Sequence, residues 1–340
     1  MIRSLSCAAT IMTMWSLPFV TSLQAGEVRI GLTHQKDAFI ESLLNSKDLK
    51  SVGINLVTAQ FQNDREVLDA TVDGTIEVGL FALSALDQVP LKDSSRLYTT
   101  FTRPFLFTST EEIFAIQDTA LGDAILAEIR RLHVLPLRFW NRGLSQIVSR
   151  KPISSVRDFS GLKVGAPSSD HSANTPVLVS LGAEPTDLGA DERVSEIMSH
   201  GAVKATVWEP WTHYQGAEWR ASLKDDFAGN QVYLYLTDFQ PLVGVLSSAE
   251  KYWDGLTERE RQAWKRATHE ASRQSRNQIS ASEQIVSNTS KVKLVTPSDK
   301  ERAQLTVAAS PDPKIKQDLQ AFEEIKSQLR LAEESVKKKK

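Results

Sequence analysis

The chain has one cysteine, Cys7, in 340 residues. A single thiol excludes a disulfide framework and any thiolate metal cluster. Six histidines are present, and none stands in an H-x-x-H or H-E-x-x-H spacing. There is no glycine-rich phosphate loop and no G-x-S-x-G elbow, and no nucleophile, base and orienting group assemble into a set. These gaps weigh against an enzyme, and no metal or other cofactor is expected. Neither sign of charge dominates: Lys+Arg 40 stand against Asp+Glu 42, a formal net charge of −2. A chain without a basic field is a poor match for nucleic acid. After residue 25 no apolar run reaches the ~20 residues needed to cross a bilayer.

What is present is an ordinary globular composition, 41% hydrophobic and 24% charged, long enough for two α/β domains of ~150 residues. The first 25 residues differ from the rest. Arg3 is the only charge before Glu27. An apolar stretch from Cys7 to Val20 follows, and then Ser22-Leu23-Gln24-Ala25. This is the order of an export signal. The alternative, an uncleaved anchor, is disfavoured by the short apolar core and by Pro18 within it. Cleavage after about Ala25 leaves a thiol-free chain beginning at Gly26 and one unit more negative, suited to the periplasm.

Glu27–Leu32, Gly53–Val57 and Ile76–Leu80 read as strands. Between them, Asp37 caps a helix with Phe39, Ile40, Leu43 and Leu44 inward. Asn63 or Asp64 opens a second helix with Val67, Leu68 and Thr71 on one face, closed at Gly74. This alternation predicts a parallel sheet with helices packed on it. Ligands in such sheets lie beyond the carboxyl ends of the strands, which nominates Thr33, His34, Phe81 and Ser84. The chain changes character near Asn141. Short strands follow at Val148, Ile153 and Leu162–Val164, with a break at Ala166-Pro167. Asp191 caps a helix, and Val203–Val207 is another strand. Val232–Leu236 and Leu242–Leu246 read as two further strands. From Thr257 the chain is helical, and it ends in four lysines read as a solvated terminus.

Several segments resemble the solute-binding proteins of TRAP transporters, the DctP-type family. They are Asp64-Arg65-Glu66 with Gly74-Thr75-Ile76, Pro104-Phe105-Leu106-Phe107, Lys151-Pro152-Ile153, Asp158 with Gly161-Leu162-Lys163-Val164, Gly182-Ala183-Glu184-Pro185, Trp208-Glu209-Pro210-Trp211, and Leu236-Thr237-Asp238-Phe239 leading to Tyr252-Trp253. They occur in family order between about Gly26 and Glu270. The resemblance implies a two-lobe α/β periplasmic binding protein with hinge strands and a long helix. Lobe 1 is expected at 26–142 plus 231–270, and lobe 2 at 143–230 plus 271–340. It implies a small-molecule solute clamped between the lobes, no catalysis, and delivery to the small and large membrane subunits of an ion-gradient-driven permease. A monomer is expected.

Two departures bear on the solute. Family members carry an arginine where this chain has Gly165, and another where it has Ser145. A buried carboxylate without a cation costs several kcal/mol. Another cation must therefore serve, or the solute is no simple carboxylate. Candidates are Arg142, Arg103, Lys163 and Arg138; each has a plain alternative as surface or inter-strand charge. Arg142 is three residues from Ser145, an odd shift that on a strand reverses its direction. Trp208 and Trp211 offer apolar faces, with core packing as their alternative, and Glu209 offers an acceptor. Asp238 completes the candidate set. An organic acid held by Arg142 is the first reading. A neutral or ring-bearing solute, a sensory binding protein and, further off, a secreted α/β enzyme are the alternatives.

Overall fold

The structure, a computed structural model, describes residues 26–33, 37–89, 97–153, 155–167, 171–188, 205–208, 232–287, 292–309 and 327. For some of these it describes the backbone only. The export signal, the helix capped by Asp191 and the lysine run lie outside the described residues.

The first half is built as its periodicity dictates. Strand β1 (Glu27–Leu32) leads into α1 (Ala38–Leu44), whose N-cap Asp37 accepts the Ile40 N–H. Phe39, Ile40 and Leu43 are buried on its inner face. A one-turn helix α2 (Lys47–Lys50) precedes β2 (Asn55–Gln60). Helix α3 (Asp64–Val72) is capped by Asn63 and followed by β3 (Val78–Ala82). β2 and β3 begin about two residues later than the sequence suggests. Gly53 and Gly74, both at positive φ, use the preceding residues for turns. β1 pairs parallel with both β2 and β3. Helices α4 (Thr110–Gln117) and α5 (Ala120–Ile129) complete this half.

Two long strands then depart from expectation. β4 spans Val134–Ser149 and passes through Asn141, where the sequence suggested a boundary. β8 spans Val232–Ala249 as a single strand where two were expected. They pair antiparallel over most of their length, with register shifts at Pro136/Arg138, Asn141/Leu144 and Ser145/Ile147. Gly143 within the second shift has φ 86, which a side chain rarely tolerates. Apolar residues continue through Phe239 and Val243, so the ladder is irregular there without ending.

Beyond the shift come β5 (Lys163–Pro167), α6 (His171–Ser180), β6 (Glu184–Leu188) and β7 (Ala205–Trp208). β5 runs through Ala166-Pro167, where a break was expected, because its ladder to β6 continues to Pro167–Leu188. Ile153 is not in a strand. The strand order is β2-β1-β3-β8-β4-β7-β5-β6, one connected hydrogen-bonded path. Helix α7 (Glu250–Gly255) and the long α8 (Glu258–Ser287) follow. Then β9 (Val292–Val295) pairs with the start of β8, and α9 (Asp299–Ala309) packs beyond it.

Among the described residues there are three apolar clusters. Two lie in the first half, one around Phe81, Phe101, Phe107 and Val245, the other around Ile30, Phe39, Trp140 and Trp264. The third surrounds Ile147, Phe159, Val164, Tyr235 and Leu305 in the second half. α8 runs through residue 270, the expected lobe boundary, and stays with the first half further on. Ser275 Oγ–H donates to Asn141 O at 2.8 Å, and Gln278 Oε1 accepts the Ala38 N–H at 3.2 Å.

Segment 102–107 also bridges the halves. Phe105, at φ 57, buries its ring edge-on against Phe239, while Leu106 and Phe107 join the first half's core. A left-handed φ is strained for an aromatic residue. It is over-determined here by the Phe105 N–H to Phe239 O bond at 3.0 Å.

Candidate functional site

The register shift between β4 and β8 opens a small cavity. It is lined by Ala82 at the end of β3 and Ser84 beyond it, by Thr102, by Trp140 and Arg142 of β4, and by Gln240 to Gly244 of β8. Its volume is about 30 Å³, on the scale of one water molecule.

Arg142 is 8% exposed. Its guanidinium lies over the Trp140 ring, 5.3 Å from the centroid, a cation–π arrangement. Residues two apart on a strand share a face, so Trp140 supplies the floor on which Arg142 rests. The indole N–H of Trp140 donates to Asp37 Oδ2 at 2.7 Å. Burial pushes the Asp37 carboxyl above its ordinary range, against the pull of the Ile40 N–H, the Trp140 indole and the charge of Arg142. The N-cap of α1 is thereby tied to the strand that carries the cation.

Gln240 is held from both ends. Its side-chain Nε2–H donates to Thr102 O at 3.2 Å, and its carbonyl accepts the Ser145 hydroxyl at 3.3 Å. Just outside the cavity, Gln117 and Asn141 exchange amide hydrogen bonds at 2.7 and 2.9 Å. Both are buried, so this reciprocal pair fixes the strand beside Arg142.

Of the expected site residues, Ser84 and Arg142 line the cavity. Thr33 does not: its hydroxyl donates to Asp64 Oδ1 at 2.6 Å, while Asp64 Oδ2 accepts the Ala82 N–H. That carboxylate ties the ends of β1 and β3 together. Phe81 is fully buried among Val67, Phe101 and Val245, because its position in β3 points it into the core. Ser145 is fully buried and bonded to Gln240, so it positions a lining residue without lining the cavity itself. Gly165 is buried in β5 between Thr186 and Thr206. Trp208 ends β7 opposite Gln146 and Asp238 lies in β8; the side chains of both lie outside the described residues, as do His34, Glu209 and Trp211.

The other candidate cations lie elsewhere. Arg103 donates to Thr99 Oγ1, Lys163 is exposed on β5, and Arg138 stands by Asp118 and Arg276. Sequence reasoning missed Asp37 as a site residue, together with Thr102, Trp140 and Gln240. The period-2 pairing of Trp140 with Arg142 was the available signal. Gln240 fell in what read as a gap between two strands.

The DctP family, described as bacterial extracellular solute-binding protein family 7, matches residues 55–317. The chain belongs to this family. Its similarity to known proteins is distant but extends over most of its length. A C4-dicarboxylate-binding periplasmic protein of Vibrio cholerae serotype O1 is 25% identical over 271 residues, 73% of each chain. A TRAP periplasmic solute-binding protein of Ochrobactrum anthropi, with its C-terminus bound in the ligand-binding pocket, has a TM-score of 0.69 at 19% identity. The match covers 89% of this chain and 96% of that one. Another, from Shewanella oneidensis with bound succinate, has a TM-score of 0.65 at 18% identity, covering 87% and 98%. Both share the fold. As a DctP-family protein the chain is a periplasmic TRAP-type solute-binding protein and no enzyme. No described helix is long and apolar enough to cross a membrane.

Proposed function

We propose that this protein captures a small organic acid through Arg142 and delivers it to the small and large subunits of a TRAP permease, after export and cleavage near Ala25. The observation that carries this reading is the buried guanidinium of Arg142 at a cavity between the two crossing strands. A planar, permanently charged fork on an aromatic floor suits a carboxylate. Relatives point the same way: solved neighbours hold succinate, L-malate and β-D-glucuronate. With Gly165 and Ser145 at the family's arginine positions, Arg142 is the substitute cation, and Gly165→Arg weakens binding of the natural solute by filling its space.

The cavity is too small for such a solute as it stands, so capture requires motion. Two lobes hinged at the register shifts of β4 and β8 supply it. The separate apolar clusters support this division, with α8 assigned to lobe 1 as far as about residue 279. The test is calorimetry of wild type and Arg142→Gln against succinate, malate, glucuronate and gulonate. At least one acid binds the wild type, and the variant loses it by roughly a hundredfold or more. Equal binding by Arg142→Gln refutes the assignment. Binding of neutral sugars alone favours the neutral-solute reading, to which the Trp140 face is also suited.

A further inference from the structure

Gln240 lines the same cavity as Arg142 and is 6% exposed. Its side-chain amide can face two ways, and Thr102 decides which. A carbonyl only accepts, so the Nε2–H group is the one turned to Thr102 O, at 3.2 Å. The Gln240 main chain is pinned as well, its carbonyl taking the Ser145 hydroxyl at 3.3 Å. Oε1 is left over. Among the described residues nothing donates to it, and the open space beside so buried a residue is the cavity. We propose that Gln240 determines solute specificity: its Oε1 accepts the hydroxyl of a 2-hydroxy acid whose carboxylate Arg142 holds, and it disfavours the 2-oxo and 2-deoxy counterparts. This rests on the reading of Arg142 as the solute's cation.

An amide oxygen has lone pairs and no proton, so only a donor satisfies it. A hydroxyl is such a donor. A ketone oxygen set against Oε1 brings two acceptors together, and a methylene leaves Oε1 desolvated and unpaired once the solute displaces water. Arg142 does not discriminate, because its N–H groups serve carboxylate, hydroxyl and ketone oxygens alike. Ser84 also lines the cavity, but a hydroxyl turns to donate or accept as required. Gln240 cannot turn without breaking its bond to Thr102. Arg142 and Gln240 belong to the stretch of β4 and β8 bounded by the Asn141–Val243 and Ser145–Gln240 pairs. They meet at a cavity of about 30 Å³, the scale of one water molecule. Groups gathered that closely match a carboxylate and the hydroxyl on the adjacent carbon better than a hydroxyl farther along the solute.

The experiment measures binding, by calorimetry, of matched acids that differ only at the second carbon: lactate, pyruvate and propionate; 2-hydroxyglutarate, 2-oxoglutarate and glutarate; gluconate, 2-oxogluconate and 2-deoxygluconate. Both enantiomers of lactate and 2-hydroxyglutarate are used. Wild type, Gln240→Met, Gln240→Lys and Arg142→Gln are compared, and melting temperature checks the fold of each. In a set that binds, wild type favours the hydroxy acid over both counterparts by roughly tenfold or more. Gln240→Met removes the acceptor at similar volume and narrows that preference to within about threefold. Gln240→Lys puts a donor in its place and turns the preference toward the 2-oxo acid. No wild-type preference for the hydroxy acid, an unchanged ratio in both Gln240 variants, or failure of all these acids to bind wild type overturns the inference. The organic-acid reading survives those results if wild type binds another acid, such as succinate, and Arg142→Gln loses it. Undiminished binding by Arg142→Gln overturns both.

Discussion

The Arg142 guanidinium rests on the face of Trp140, and the same indole holds the carboxylate of Asp37 by its N–H edge. One aromatic ring therefore couples a cation on the crossing strand to the cap of the first helix. Trp140→Phe keeps the face and removes the donor, leaving a desolvated carboxylate one hydrogen bond short. The expected cost is about 1.5–3 kcal/mol of stability in urea unfolding. Organic-acid affinity falls much less than in Arg142→Gln. Equal losses of affinity in the two variants would mean that Arg142 acts only through packing.

Gly244 sits where β3, β4 and β8 crowd together. A Cβ there would meet Phe81 O and a Trp140 ring carbon, each at 2.6 Å. Backbone oxygen cannot yield, so Gly244→Ala displaces the Trp140 floor. We expect a loss of about 1–3 kcal/mol with weakened solute binding. Unchanged stability and affinity would contradict this packing.

Two carboxylates give opposite pH signatures. Burial works against ionised Glu77, but the Arg29 side chain and N–H bind it at 2.7–3.0 Å and carry its carboxyl below the ordinary range. Its contribution is present above the ordinary glutamate range and is lost as pH falls through the lowered value. Asp37 is raised, so the native state holds its proton longer than the unfolded chain does. Its effect is a fall in stability as pH rises from the ordinary aspartate range up to the raised value. In equilibrium unfolding from pH 3 to 8, Glu77→Gln flattens the acid limb. Asp37→Asn removes the opposing decline. Superimposable profiles for wild type and Glu77→Gln would refute the Arg29 pairing.

Closure around a solute compacts the molecule and raises its melting temperature. Binding only the closed native state adds RT ln(1 + [L]/Kd), ~2.7 kcal/mol at a hundredfold excess. Solution scattering with and without a saturating acid therefore gives a smaller radius of gyration when bound. Superimposable curves would contradict a hinge at the register shifts.

The first half of the fold was legible because local signals agree there. Asp37 and Asn63 cap their helices as their side chains predict, and β1, β2 and β3 alternate with amphipathic helices. The crossing strands were hidden because no local break marks them. The Asn141-Arg142-Gly143 irregularity reads as a boundary, yet the ladder to β8 carries the strand past it. Of the cavity lining, Ser84 was legible from its place beyond β3, and Arg142 as the cation nearest in sequence to Ser145. Asp37, Thr102 and Gln240 were not, since their roles depend on contacts between residues 103 and 138 apart in sequence, Asp37 with Trp140 and Thr102 with Gln240, a placement that only tertiary packing defines. Phe81 and Thr33 misled for the same reason: a strand end nominates both faces, and the core and Asp64 claim these two.

The most direct test of the central claim is a crystal structure of the protein with the solute that co-purifies from the periplasm of an expressing cell. The account predicts a carboxylate of that solute bonded to the Arg142 guanidinium at 2.7–2.9 Å, above the Trp140 face and beside Gln240. A solute seated with Arg142 directed away, or held by other cations alone, would contradict it.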